Sequence, residues 1–226
     1  MSTIKPSKFI MFAAVLLAGC GPMNETVGTA RVRVVHASPD APAVNICADG
    51  AVLFSNAAFP GATDYASVPA ATYAVKVVPA TGDCADAGVI QANLPLAAGT
   101  DTTVIAVNTL AAIEPLVLAD DNQAPSAGSA RVRFVHASPN APTVDITLAD
   151  GTTLFDNVAF KGVGDYIEVA AGTYDLEVRD ETGTTTVLPL DGVQLQAGTV
   201  YTVYAVGLLN GTPALGAFIT MDNAGA

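Results

Sequence analysis

Polar and apolar residues alternate with a period of two along much of this chain, which predicts β-strands rather than helices. Residues 31–34 alternate Arg and Val, and residues 72–78 and 173–178 form a second clear strand in each half. Residues 102–107 and 200–206 are apolar on both faces, which is typical of a strand in the middle of a sheet. Turns rich in Gly, Pro and Asp separate these segments, so the pattern predicts an all-β fold.

The chain contains this pattern twice. Residues 30–44 read ARVRVVHASPDAPAV and residues 130–144 read ARVRFVHASPNAPTV, with twelve of fifteen positions identical. Each copy has about 100 residues, a common domain size. We therefore expect two tandem β-sandwich domains, immunoglobulin-like or transthyretin-like, with separate cores. The expected domains cover residues 30–120 and 130–226, and residues 121–129 form a linker.

The first strand of each copy predicts which side chains face the core. Ala30, Val32, Val34 and His36 share one face, and Ala130, Val132, Phe134 and His136 are their counterparts. The other face carries Arg31, Arg33, Arg131 and Arg133. These arginines either contact an anion or polysaccharide, or pair across strands with acids such as Asp145 and protect a sheet edge. We favour the second interpretation.

The first nineteen residues have the pattern of a secretory signal peptide. Lys5 and Lys8 precede a nine-residue apolar run, which is shorter than the ~20 residues that a bilayer span needs. The run ends in Leu-Ala-Gly-Cys20, which resembles the lipobox of bacterial lipoproteins. The resemblance implies that Cys20 is acylated and that residues 20–29 form a tether. It also implies an outer-membrane location, because the lipoproteins retained at the inner membrane have an Asp where this chain has Gly21. The alternative is an ordinary secreted protein with a Cys near its cleavage site by chance.

The net charge makes some classes of partner unfavourable, and the cysteines indicate a disulfide. A net charge of −12 makes nucleic acid and anionic lipid head groups poor partners. Cys47 and Cys84 remain after lipidation, and the second copy lacks both. Because the compartment is oxidising and the two cysteines are missing together, we expect a disulfide between them, although two free thiols are the alternative.

Both histidines occupy the same position of the repeat, before a Ser and a Pro. The turn motif consists of His36, Ser38 and Pro39 in copy one and of His136, Ser138 and Pro139 in copy two. One His and one or two carboxylates per copy are too few ligands for an ordinary zinc site. A His–Ser pair could serve nucleophilic catalysis, but no third orienting residue is visible. We favour a structural role, with each ring tying its turn down through its nitrogens.

The VHASPDAP and VHASPNAP segments resemble the signature of a bacterial envelope family known as domain of unknown function 4397. Ala171-Gly-Thr-Tyr174 fits the same resemblance, whereas copy one has Ala71 in place of the Gly. The resemblance implies a small β-sandwich on a secreted or lipidated protein and no known activity.

Taken together, these features predict a non-catalytic cell-envelope lipoprotein without cofactor or metal. It would act as a tandem binding or scaffold module for an envelope protein or polysaccharide. The alternative is an extracytoplasmic hydrolase that uses the His-Ala-Ser-Pro turns.

Overall fold

The computed structural model describes residues 28–223, and the expected leader and Cys20 lie outside this range. Within it the chain forms seventeen strands and one short 3-10 turn at Leu110–Ala112. The strands form two tandem β-sandwiches, which confirms the expected all-β fold. None of the helical segments in residues 28–223 has the length and hydropathy of a membrane span.

The first repeat consists of two facing sheets. In the first sheet β1 pairs with β4 and β5 on one side and with β8 on the other, and β9 forms the far edge. The second sheet has the order β3-β2-β6-β7. The strands are β1 (Thr29–His36), β2 (Val44–Ala48), β3 (Ala51–Ala57), β4 (Gly61–Ala62), β5 (Ala66–Pro69), β6 (Ala71–Pro79), β7 (Ile90–Leu96), β8 (Asp101–Val107) and β9 (Glu114–Asp120).

The second repeat has the same arrangement with one strand fewer. Its sheets have the orders β13-β10-β16-β17 and β12-β11-β14-β15. Its strands are β10 (Ser129–His136), β11 (Val144–Leu148), β12 (Thr153–Val158), β13 (Ile167–Ala170), β14 (Gly172–Asp180), β15 (Thr186–Leu195), β16 (Val200–Val206) and β17 (Gly216–Met221). The first and late strands of each repeat, β1 with β8 and β10 with β16, pair in parallel at the centre of a sheet.

The alternation along β1 and β10 determines which face enters each sandwich. Ala30, Val32 and Val34 are buried against the facing sheet, as the sequence predicts. In the second repeat Phe134 occupies the position of Val34 and stacks on Phe155, with ring centroids 6.2 Å apart. Each such buried side chain contributes ~1.5–3 kcal/mol by its removal from water.

A further apolar cluster lies between the two repeats. It includes Val35 and Ile105 from the first repeat and Val135 and Tyr204 from the second, all fully buried. The first sheets of the two repeats therefore pack against each other, and the four sheets form one stack. The interiors of the two sandwiches are separate, as expected, but the shared cluster was not predicted. It forms because β8 and β16 are apolar on both faces and a sandwich covers only one of them.

A disulfide joins Cys47 on β2 to Cys84 in the loop after β6, with a Cα–Cα distance of 5.8 Å. The predicted pairing is confirmed. In each repeat a tyrosine hydroxyl also hydrogen-bonds the backbone just before its own strand. Tyr73 on β6 donates to the Pro69 carbonyl at 2.7 Å, and Tyr174 on β14 donates to the Ala170 carbonyl at 2.6 Å.

Candidate functional site

The histidine turns carry the chain from one sheet of each sandwich to the other. β1 ends at His36 and β2 begins at Val44 in the facing sheet. His36 Nε2 donates to the carbonyl of Pro42 at 3.1 Å, and His136 Nε2 donates to that of Pro142 at 2.9 Å. Two prolines disfavour strand pairing in this segment. The imidazole therefore supplies a hydrogen bond that closes the turn.

The other polar residues of the turn bind the loop after the late strand. Ser138 Oγ donates to the Gly207 carbonyl at 2.7 Å. The Asn140 side chain accepts from the amide of Leu209 at 2.8 Å, and in the first repeat Asp40 accepts from the amide of Leu110 at 2.6 Å. The turn thus holds two loops of each repeat together.

The hydrogen bonds fix the protonation of the two rings. A carbonyl oxygen only accepts, so Nε2 carries a proton in both histidines, and Nδ1 is the unprotonated nitrogen of the neutral ring. Burial lowers the pKa of His36 and His136 below the usual value of 6.5, against the opposing effect of the proline carbonyls. Neither Nδ1 atom has a hydrogen-bond partner among residues 28–223. Both rings are therefore neutral at pH 7.

This geometry does not assemble a nucleophile with its base. His36, Ser38 and Ser138 have no exposed surface, so a substrate cannot reach them in this conformation. In the described range no hydrogen bond joins either histidine to the serine of its turn, and Ser138 uses its proton on Gly207. The same range contains no group of three His, Cys, Asp or Glu side chains that could hold a metal.

Each histidine also contacts the cluster between the repeats. The rings of His36 and Phe59 meet edge-on at 6.2 Å, and those of His136 and Phe160 at 6.4 Å. Phe59 and Phe160 pack against the shared apolar cluster. The repeated His-Ala-Ser-Pro segment therefore supports both its own turn and the contact between repeats.

Two ion pairs cross between the repeats beside this cluster. Arg33 of the first repeat contacts Asp222 of the second at 2.6 Å, and their side chains are 2% and 0% exposed. Arg133 of the second repeat pairs with Asp120 of the first, again with both side chains buried. Each repeat thus gives one arginine and one aspartate to the interface, and we call this set of four residues the crossed pairs.

Hydroxyl groups complete the hydrogen bonding of the crossed pairs. Arg33 Nε donates to Thr103 Oγ1 at 2.8 Å, and Thr103 donates to Asp120 Oδ2 at 2.6 Å. In the other direction Arg133 donates to Thr202 at 2.7 Å, and Thr202 donates to Asp222. Each carboxylate therefore accepts from both repeats, which offsets the cost of removing the charges from water.

Two tyrosines cover the arginines and bind the same carboxylates. The guanidinium of Arg33 lies 4.7 Å from the ring centroid of Tyr65, whose hydroxyl donates to Asp120 at 2.5 Å. Tyr166 has the same relation to Arg133 and Asp222. Burial, followed by the nearby aspartates, raises the pKa of both phenols. The tyrosines therefore remain neutral donors at any physiological pH.

The role expected for the arginines needs correction. β1 and β10 are inner strands rather than edges, and Asp145 accepts a hydrogen bond from the Asn157 amide instead of pairing with an arginine. Arg31 and Arg131 do pair with acids, Asp101 and Asp121, at the border of the interface. The alternation did not reveal that the side chains of Arg33 and Arg133 are buried between the repeats.

The partners of these arginines were not predicted either. A signal for them exists in the repeat itself, because each partner occurs at the equivalent position of both copies. These partners are Tyr65 and Tyr166, Thr103 and Thr202, and Asp120 and Asp222.

Twelve solved chains are similar to this chain, and two of them are a domain of AlgF and the TIE protein. The C-terminal domain of AlgF from P. aeruginosa is 22% identical, with a TM-score of 0.31, over 43% of this chain and 99% of that domain. The Bacillus anthracis TIE protein is 10% identical, with a TM-score of 0.23, over 80% of this chain and 34% of the TIE protein. No curated protein matches the chain.

The family model described as "Domain of unknown function (DUF4397)" matches residues 30–147 and again residues 142–226. The first match covers the first repeat and continues into the second, the second match covers the rest of the second repeat, and together they extend from the first strand to residue 226. The chain therefore belongs to the DUF4397 family.

Proposed function

We propose that this protein is a non-catalytic lipoprotein of the bacterial cell envelope, in which the two repeats act together as one rigid binding or scaffold module. The observation that carries the proposal is the buried set of crossed pairs. Separating the repeats would break both crossed pairs and expose the apolar cluster between the first sheets, in which each large buried side chain contributes ~1.5–3 kcal/mol. The module therefore presents its outer surfaces in a fixed relation to any partner.

The turn histidines support the non-catalytic part of the proposal. Their Nε2 protons are used on the carbonyls of Pro42 and Pro142, and the adjacent serines are buried. Each histidine closes a turn and packs on the interface between the repeats, and this structural role involves no substrate. The hydrolase alternative would require both turns to open.

The envelope location rests on the lipobox and on the disulfide. Leu-Ala-Gly-Cys20 follows a charged and apolar leader, and a disulfide suits an oxidising compartment outside the cytoplasm. The partners that fit are the membrane, through the acylated Cys20, and an envelope protein or polysaccharide. The low ratio of basic to acidic residues disfavours nucleic acid.

Cell fractionation tests the anchor. Cys20→Ser should move the protein from the membrane fraction to the soluble fraction, because a protein held by acyl chains loses its hold without them. Gly21→Asp is the matched control: it retains the acylated cysteine, and by resemblance to lipoprotein sorting it should shift the protein to the inner membrane. Membrane association that persists in Cys20→Ser would refute the anchor.

Activity assays test the non-catalytic role. The purified protein should hydrolyse neither ester, peptide nor glycoside substrates above the background rate. Turnover that disappears in the Ser38→Ala/Ser138→Ala double variant, with the fold retained, would establish the hydrolase instead.

Capture from envelope extract tests the binding part. The wild-type protein should retain an envelope protein or polysaccharide, and a variant with an opened interface, Arg33→Ala, should retain less. Equal capture by both proteins would show that the fixed relation of the repeats is not needed.

A further inference from the structure

The two sandwiches differ in how well their interiors are filled. The first repeat encloses a cavity of about 90 Å³ between its sheets, whereas the corresponding space in the second repeat is about 20 Å³. The lining of the larger cavity is almost entirely apolar, with residues from both sheets such as Val34, Ile46, Val75 and Val104. A space of this kind gives a water molecule no hydrogen-bond partners.

The difference arises from side chains that are consistently smaller in the first repeat. Strand register identifies the equivalent positions, since Ala48 pairs with Val75 and Val75 with Ala92, as Leu148 pairs with Leu176 and Leu176 with Leu190. Five cavity-lining positions have the smaller residue in the first repeat: Val34 against Phe134, Ala48 against Leu148, Val75 against Leu176, Ala92 against Leu190, and Val117 against Ile219. Leu94 against Val193 and Pro115 against Ala217 are reversals, but the larger side chains of the second repeat fill most of the corresponding space.

The cavity reaches the surface between two edge strands. Ala92 and Asn93 on β7 and Pro115 and Val117 on β9 belong to its lining, and β7 and β9 each lack a neighbour on their outer side. Val117 is 50% exposed, so an apolar path leads from solvent into the core.

We propose that the first repeat binds the short alkyl chain of a small free amphiphile, with the tail in the cavity and the polar end at the opening between β7 and β9. The lining selects hydrocarbon, because a polar group inside it would lose its hydrogen bonds to water without replacement. The volume selects a tail of about four carbons, because a cavity of ~150 Å³ holds one six-carbon benzene molecule and this cavity measures about 90 Å³. The long acyl chain of a bilayer lipid does not fit. This site goes beyond the proposed function, which requires no small ligand.

Methyl NMR titration of the protein with 1-butanol tests the site. Signals from Val34, Val75 and Val104 should shift in a saturable manner, while those of the second core remain unchanged. The control ligand is 1,4-butanediol, which has the same length but a hydroxyl group at both ends. It should bind at least ~10-fold more weakly, because one hydroxyl would be buried without a partner.

The repeat supplies matched variants. Val34→Phe introduces the residue of the second repeat and should weaken butanol binding at least ~10-fold by filling the cavity. Ala92→Leu should do the same from an exposed position where folding is not at risk. Phe134→Val should open a second site, seen as new saturable shifts in the second core. The proposal is overturned if butanol leaves the first-core methyl groups unshifted, if butanediol binds equally well, or if Ala92→Leu binds like the wild type.

Discussion

Arg33 and Asp222 are 189 positions apart in the chain, and their side chains form a hydrogen bond of 2.6 Å inside the contact between the repeats. Burial opposes the charge of Arg33, but nearby Tyr204 and Asp222 outweigh this effect and raise its pKa. Arg33 therefore remains charged at physiological pH. The consequences of the pair can be measured as changes in stability.

Removal of one member of the pair should strongly destabilise the fold. Asp222→Ala leaves Arg33 buried opposite no carboxylate, and we expect the free energy of unfolding to fall by ~3–5 kcal/mol. The double variant Arg33→Met/Asp222→Leu removes both charges and should recover much of this loss. Denaturant unfolding of the single variants Arg33→Met and Asp222→Leu and of the double variant gives the coupling energy.

Asp121→Ala is the control for this prediction. The pair between Arg131 and Asp121 lies at the border of the same interface, with the Asp121 side chain 51% exposed. Its loss should cost less than ~1 kcal/mol. Similar losses for Asp121→Ala and Asp222→Ala would contradict a special contribution from the buried pair.

Truncation of one histidine should affect both repeats. His36→Ala leaves a cavity and frees the Pro42 carbonyl, at a cost of ~2–4 kcal/mol. Because Phe59 packs between His36 and the shared cluster, we expect amide hydrogen exchange to accelerate in β16 of the second repeat as well as in β8. If exchange accelerates in the first repeat alone, the apolar cluster between the repeats does not transmit the destabilisation to the second repeat.

The histidines also predict how stability depends on pH. Their pKa values are lowered in the folded protein, so the unfolded chain binds more protons just below pH 6.5, and stability falls as the pH drops from 7 to 5. Gln can donate to the proline carbonyl without titrating. In the His36→Gln/His136→Gln variant the free energy of unfolding should therefore vary less over this range. An unchanged slope between pH 5 and pH 7 would refute the assignment.

Reduction of the disulfide should weaken the first repeat. The bridge closes a separation of 37 positions, and its loss should cost ~3–4 kcal/mol on the chain-entropy model. Peptide mass mapping without reductant should recover Cys47 linked to Cys84. The Cys47→Ser/Cys84→Ser variant is the control, since reductant should leave its melting temperature unchanged. Alkylation of both cysteines before reduction would contradict the bond.

The sequence predicts the sandwich well because its signals are local. Val32 and Val34 alternate with polar neighbours, and strands with that pattern bury one face in almost any sheet. The short strands at Gly61–Ala62 and Ala66–Pro69 were missed, because two to four residues carry no measurable period. Their existence depends on pairing with β1, which is a tertiary contact.

The contact between the repeats is harder to predict because its signals are not local. An arginine on the second face of a strand looks the same in sequence whether it meets water or a buried aspartate. The informative residues were Ile105 and Tyr204, which make the inner strands apolar on both faces. A strand with two apolar faces needs a cover on each side, and a sandwich provides only one. The other repeat supplies the second cover.

Each repeat brings the same four kinds of side chain to the contact, an arginine, a threonine, a tyrosine and an aspartate. Such a surface is isologous, as in a two-fold symmetric dimer, although both halves belong to one chain. Each repeat has one such surface and buries it against the same surface of the other repeat. A third repeat added to the chain would therefore have no exposed surface of this kind to bind. The assembly is closed at two repeats by symmetry, and it cannot extend into a longer array through this contact.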